Sequence, residues 1–164
     1  TATWELLEDA PGIEALAVPA SGGGLLGGAL LAVRGLAPGA RVWGVQPAGA
    51  DGIVRSLAAG EPTAPERIET VADGLTAPRP GVLNFELIRR FAAGVLTVAD
   101  PAILAAMGRI LRALRVIVEP AGAAGLAGVL AHPELFRGRR VGILLSGGNT
   151  GAERVREVLA SPAA

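Results

Sequence analysis

The chain of 164 residues has no cysteine, and it has no lysine either: all 15 of its basic residues are arginine. Without cysteine there is no disulfide and no thiolate zinc site, and with His132 as the one histidine a histidine-based metal centre is excluded as well. Without lysine no side chain can offer a neutral amine, because arginine keeps its proton. The 15 acidic groups balance the arginines, and no dense basic stripe breaks that balance. Nucleic acid is therefore not the expected partner. No apolar run approaches the roughly 18 residues of a spanning helix, so no membrane span is expected. The opening Thr1-Ala2-Thr3-Trp4 lacks the basic and apolar regions of a leader. Residues 3–7 read as the end of a helix stopped at Pro11-Gly12, whose earlier turns are expected to lie outside this chain.

What is present is an apolar, glycine-rich chain, 51% hydrophobic, long enough for one domain with a sizeable core. Short apolar runs at residues 14–20, 41–45, 94–98, 115–118 and 141–145 alternate with helical patterns at 25–34, 51–59, 85–93, 101–114, 121–131 and 152–160. Each short run is nearly continuous rather than alternating, the mark of strands buried on both faces. The expected fold is α/β, a mostly parallel twisted sheet with helices on both faces, as a single domain over residues 1–164. Asp100 before Pro101 suits a helix N-cap, Asn84 suits another, and Gly60 and Gly94 suit helix ends. Residues 61–82, carrying Pro62, Pro65, Pro78 and Pro80, are too long for a tight turn and read as a functional or excursion loop.

The first chemical signal is Ser21-Gly22-Gly23-Gly24-Leu25-Leu26-Gly27-Gly28, placed between a strand and a helix. Such a turn points backbone N–H groups and a helix dipole at an anion and reads as a phosphate cradle. A nucleotide-hydrolysing loop needs Lys-Ser/Thr after its last glycine, which Gly27-Gly28-Ala29 does not provide. Gly22-x-Gly24-x-x-Gly27 matches a dinucleotide fingerprint, but Gln46 stands near the position of the ribose-binding acid and disfavours it. Gly27 and Gly28 also suit plain helix-to-strand packing. A second buried strand runs into Ser146-Gly147-Gly148-Asn149, and a third segment, Val118-Glu119-Pro120, starts a helix of small residues. In a parallel sheet all three ends reach the same carboxyl edge, where ligands bind. The bland readings remain beside these: Ser146 as a turn residue, Glu119 as a first-turn acid, Asn149 as a turn residue, His132 as a solvated cap, and Arg89-Arg90 and Arg139-Arg140 as surface charge.

Taken in order, Thr3-Trp4-Glu5-Leu6-Leu7-Glu8, Ser21 to Leu25, Gly44-Val45-Gln46-Pro47, Ala72-Asp73-Gly74, Leu96-Thr97-Val98, Val118-Glu119-Pro120 and Leu145-Ser146-Gly147-Gly148-Asn149 resemble the threonine and serine dehydratases and serine racemases. These are fold-type II pyridoxal phosphate enzymes, related to the tryptophan synthase β chain. The resemblance covers only the C-terminal part of that catalytic unit. It implies pyridoxal 5′-phosphate as cofactor, its phosphate held by Ser21, Gly22, Gly23, Gly24 and Leu25, with Ser146 facing the pyridine nitrogen and Gly74 and Glu119 in the pocket. It implies β-elimination of a small hydroxy amino acid to a 2-oxo acid and ammonia, a cytoplasmic setting, and a homo-oligomer once the N-terminal half is present. The family's Schiff-base lysine belongs to that N-terminal half, so this chain by itself is expected to be inactive. A racemase, another fold-type II enzyme or a non-catalytic phosphate-ligand-binding module are the alternatives. Racemase-like members hold a divalent cation through a glutamate and an aspartate; Gln46 and Gly52 stand at those places here, with Asp51 one residue off. No metal is expected, since hard cations want carboxylate oxygens.

Overall fold

In a computed structural model, which describes residues 1–160, four parallel strands form one sheet in the order β3-β2-β1-β4. The strands are β1 (Ala15–Pro19), β2 (Arg41–Pro47), β3 (Gly94–Val98) and β4 (Val141–Ile143). Around them run α1 (Ala2–Asp9), α2 (Gly24–Leu36), α3 (Gly52–Ala59), α4 (Val82–Phe91), α5 (Asp100–Leu114), α6 (Pro120–Ala131), α7 (Pro133–Phe136) and α8 (Ala152–Ala160).

β1 is buried along its whole length, and its side chains alternate between two cores. Ala15 and Ala17 join Trp43, Val45, Ile103, Met107 and the alanines of α6 on one face. Leu16 and Val18 join Val42, Leu26, Leu30 and Ile88 on the other. A central strand covered on both sides is what a continuous apolar run specifies. Small residues let α6 lie close: a Cβ at Gly125 would come within 3.0 Å of the Ala17 carbonyl oxygen, and one at Gly128 within 2.6 Å of Val45. α6 therefore reads as apolar all round because it is buried on most sides, not because it seeks a membrane. No helix among the described residues is long and apolar enough to cross one.

The structure corrects four local expectations. Residues 115–118 form no strand: Arg115 takes a left-handed φ of 58° that ends α5, and Val116 and Ile117 are exposed. An apolar run encodes burial but not the strand that should lie beside it, and no described strand lies there. Asp100 is the first residue of α5 rather than its cap, and its carboxylate holds the long loop instead. Asn84 sits inside α4, whose N-cap is Gly81. Gly94 opens β3, where a Cβ would press within 2.7 Å of the Trp43 ring; Gly60 does end α3, with φ +80°.

Candidate functional site

The right-twisted parallel arrangement sends the carboxyl ends of β1 and β4 toward the same edge, and the start of α6 meets them there. One cavity of about 160 Å³ results. It is lined by Ser21, Gly22, Gly23, Gly24, Leu25, Gly74, Glu119 and Ser146, together with Pro19, Leu75 and Ala121. Every residue the sequence proposed for the site thus lies on one wall system, although the first and last are 125 positions apart. Asn149 does not join them. It lines a neighbouring polar cavity of about 510 Å³ with Thr70, Asp73 and Arg154.

The glycine turn has the features of an anion cradle. Gly23 has φ +86°, a conformation that strains any L side chain, and a Cβ there would meet Asn84 and Ile88 at 2.9 Å. Gly24 faces open space. Among the described residues, the backbone N–H groups of residues 21–25 have no hydrogen-bond acceptor. They stand at the N-terminus of α2, a helix of 13 residues whose dipole adds partial positive charge. A phosphate fits such a donor set without requiring a lysine. Neither later glycine packs on a strand: a Cβ at Gly27 would come 3.3 Å from Asn84 Oδ1 and 3.4 Å from Leu87 Cδ1 of α4, and Gly28 faces open space.

Ser146 is half-buried and makes no side-chain hydrogen bond among the described residues, so its hydroxyl is available to a ligand. Glu119 is the N-cap residue of α6 by position, but its side chain makes no capping bond. The carboxylate instead lies against Gly147 and within 3.6 Å of the Cβ position of Gly74. Glu119 N–H donates to the Gly147 carbonyl at 3.2 Å, tying the Glu119 and Ser146 segments together.

Gly74 arrives on the long loop, which three anchors hold in place. Glu69 N–H donates to the Gly49 carbonyl at 2.9 Å; Thr70 Oγ1–H and Val71 N–H donate to the two Asp100 carboxylate oxygens at 2.6 and 2.8 Å; Ala77 N–H donates to Ser21 Oγ at 2.9 Å. Sequence reasoning missed Asp100 and Ala77 in these roles, and also Asn84, whose Nδ2 donates to the Gly22 carbonyl oxygen of the glycine turn. Their partners lie 29 to 62 positions away, and no local pattern encodes such pairs.

The residues at the family's cation position are otherwise engaged. Gln46 is fully buried, and its Oε1 accepts from Ile53 N–H at 3.1 Å and Val54 N–H at 3.3 Å in the first turn of α3. Asp51 holds Arg55 Nε at 2.7 Å, a contact that raises the Arg55 guanidinium above its ordinary pKa. A Cβ at Gly52 would come within 2.7 Å of the Pro78 carbonyl oxygen, so an aspartate there would displace the loop. A neutral amide that caps a helix does not replace a carboxylate ligand. Thermal unfolding with up to millimolar calcium or magnesium is expected to leave the melting temperature unchanged; a rise at sub-millimolar metal would contradict this.

His132 is not simply a solvated cap. It joins α6 to α7 with Nδ1 3.5 Å from Glu134 Oε1 and Nε2 buried with no hydrogen-bond partner among the described residues.

Fold and site together define a parallel α/β unit with a glycine-lined cavity at the carboxyl edge of its sheet, a donor set that suits an anion. The sequence profile described as "pyridoxal-phosphate dependent enzyme" matches residues 1–147, and the chain belongs to that family. Its members depend on pyridoxal phosphate. The chain is similar to the L-threo-3-hydroxyaspartate ammonia-lyase of Saccharomyces cerevisiae, 40% identical over 94% of this chain and 47% of that protein. It is also similar to the L-threonine ammonia-lyase of Thermotoga maritima, 34% identical over 94% of this chain and 38% of that protein. Among solved structures, maize serine racemase superposes with a TM-score of 0.87 at 37% identity, over 94% of this chain and 48% of that one. The chain spans about half the length of the curated relatives it matches.

Proposed function

We propose that the chain is the C-terminal part of a pyridoxal phosphate-dependent ammonia-lyase that eliminates the β-hydroxyl of a small hydroxy amino acid, threonine or serine in the first instance. The observation that carries this reading is the single cavity gathering the glycine turn, Gly74, Glu119 and Ser146. The product would be a 2-oxo acid and ammonia. When bound, the cofactor supplies the electron sink that loosens bonds at the substrate's α-carbon. Ser21 to Leu25 would hold its phosphate through backbone N–H groups and fix its depth in the cavity. Gly74 would keep the loop backbone close against the start of α6 at the pocket wall, since a Cβ there would meet the Ala121 Cβ at 2.9 Å. Ser146 would hydrogen-bond the ring nitrogen. A hydroxyl does not hold that nitrogen protonated as an aspartate would, so negative charge is stored poorly and a ready leaving group is favoured over a long-lived carbanion. Glu119 would present its carboxylate at the pocket wall.

The lysine that holds the cofactor covalently and moves the α-proton would come from the N-terminal half, since this chain has none. Serine racemization remains the second reading, favoured by the similarity to the serine racemases of maize and of Oryza sativa, the latter 38% identical. Both readings place the intact protein among oligomeric cytoplasmic enzymes.

The test is spectroscopic. The purified chain with pyridoxal phosphate is expected to lack the absorption band of a lysine-bound cofactor and to release no ammonia from threonine or serine. The intact parent protein, with a Ser-x-Lys-x-Arg-like segment encoded upstream of Thr1, is expected to show both. Turnover by the isolated chain, or a parent gene without such a segment, would overturn the reading; the second result would leave a phosphate-ligand-binding module.

A further inference from the structure

The geometry points to Asn84 as the positioning residue that aims the glycine turn at its anion. Asn84 lies in the first turn of α4, and neither it nor Gly81 lines the 160 Å³ cavity. Its Nδ2 donates to the Gly22 carbonyl oxygen at 2.9 Å, and Gly81 N–H donates to the same oxygen at 3.1 Å. Two donors on one carbonyl fix the direction of that C=O. A trans peptide is planar, with its C=O and N–H pointing opposite ways. Drawing the Gly22 oxygen toward α4 therefore turns the Gly23 N–H away from α4, none of whose residues lines the cavity that Gly22 and Gly23 border.

The carbonyl also matters for charge. Left unpinned, the Gly22 peptide could rotate its oxygen into the cavity and present negative partial charge to an incoming phosphate. Glycine on both sides of this peptide makes such a rotation cheap, because Gly22 and Gly23 lack the Cβ that would resist it. The turn thus needs an external restraint, and Asn84 supplies it from 62 positions away. The Nδ2 assignment follows from the partner, since a carbonyl oxygen can only accept. The other Asn84 atom, Oδ1, stands 3.3 Å from the Cβ position of Gly27, so the amide is wedged between the turn and α2. Asn84 acts on the ligand through the Gly22–Gly23 peptide.

This inference rests on the phosphate cradle of the proposed function, and the test separates the two. Pyridoxine 5′-phosphate and phosphate-free pyridoxine carry no aldehyde and report non-covalent binding alone. The wild-type chain is titrated with each, alongside Asn84→Ala and the near-isosteric Asn84→Asp, following backbone amide NMR shifts of residues 21–25. Both variants are expected to bind the phosphorylated ligand about tenfold more weakly, the scale of one lost directing hydrogen bond, with phosphate-free pyridoxine unaffected and the Gly23 amide shift displaced. Wild-type affinity for pyridoxine 5′-phosphate in both variants, or equal losses for the two ligands, overturns the role of Asn84 and leaves the cradle standing. A wild-type chain whose 21–25 amides respond to neither pyridoxine 5′-phosphate nor inorganic phosphate overturns both.

Discussion

Gly122→Ala is expected to destabilise the chain by about 1–3 kcal/mol, the usual scale of an overpacked core, and to abolish its binding of pyridoxal phosphate. Gly122 is buried in the first turn of α6, under the turn that carries Ser146. A methyl group there would drive into the Ser146 carbonyl oxygen while meeting Val118 Cγ2 at 2.6 Å and the Gly147 carbonyl oxygen at 3.0 Å. Two of these three obstacles are backbone, so no rotamer change relieves them. Either α6 retreats from β1 and β2, which empties part of the core, or the Ser146 turn moves out of the cavity. Both responses damage the site, because Glu119 N–H is bonded to Gly147 and would move with it. Gly24→Ala is the control: nothing lies within 4 Å of its Cβ position, and its stability is expected to stay within about 0.5 kcal/mol of the wild type. Urea unfolding monitored by circular dichroism, with a cofactor titration on the same samples, measures both effects.

Light scattering on the purified chain is expected to find self-association rather than a monomer. Val116 and Ile117 are 46% and 56% exposed in a segment that pairs with no strand among the described residues, and Leu114 and Leu145 are exposed as well. β4 ends the sheet, and among the described residues no strand pairs with its outer edge. An unpaired edge flanked by apolar side chains recruits other chains. The relatives are about twice as long as this chain, and the proposed N-terminal half would cover such a surface. Replacing Val116 and Ile117 together by lysine is expected to shift the population toward monomer, because charge on an exposed edge opposes pairing. A compact monomer of the unmodified chain would count against the reading as half of a catalytic unit.

Element type was readable where burial and local chemistry agreed. The continuous apolar runs at β1 and β2 could satisfy both faces only inside a parallel sheet, and those strands formed with ends close to expectation. α8 matches its expected span over the described residues, and Gly60 ends α3 in the left-handed conformation that glycine tolerates. Residues 115–118 have the same apolar character, yet pairing depends on a neighbour that composition cannot name. Asp100 before proline has the chemistry of a cap, but a loop arriving from residues 70 and 71 claimed its carboxylate first. Asn84 was equally suited to a cap, and the nearby Gly22 carbonyl took its amide instead.

For the site, the sequence by itself determined the inventory: a glycine turn between strand and helix, a serine after a buried strand, a glutamate before a small-residue helix, and no lysine. Those are local facts, set by backbone sterics and side-chain chemistry within a few residues. The tertiary structure alone decided which of them meet. Parallel pairing of β1 with β4 brought Ser21 and Ser146 to one cavity and sent Asn149 to another. Packing of α4 against α2 likewise brought Asn84 Nδ2 to the glycine turn from 62 positions away. Contacts across 50 or more residues depend on how whole elements pack, and a side chain with several possible partners takes the one that packing places within about 3 Å.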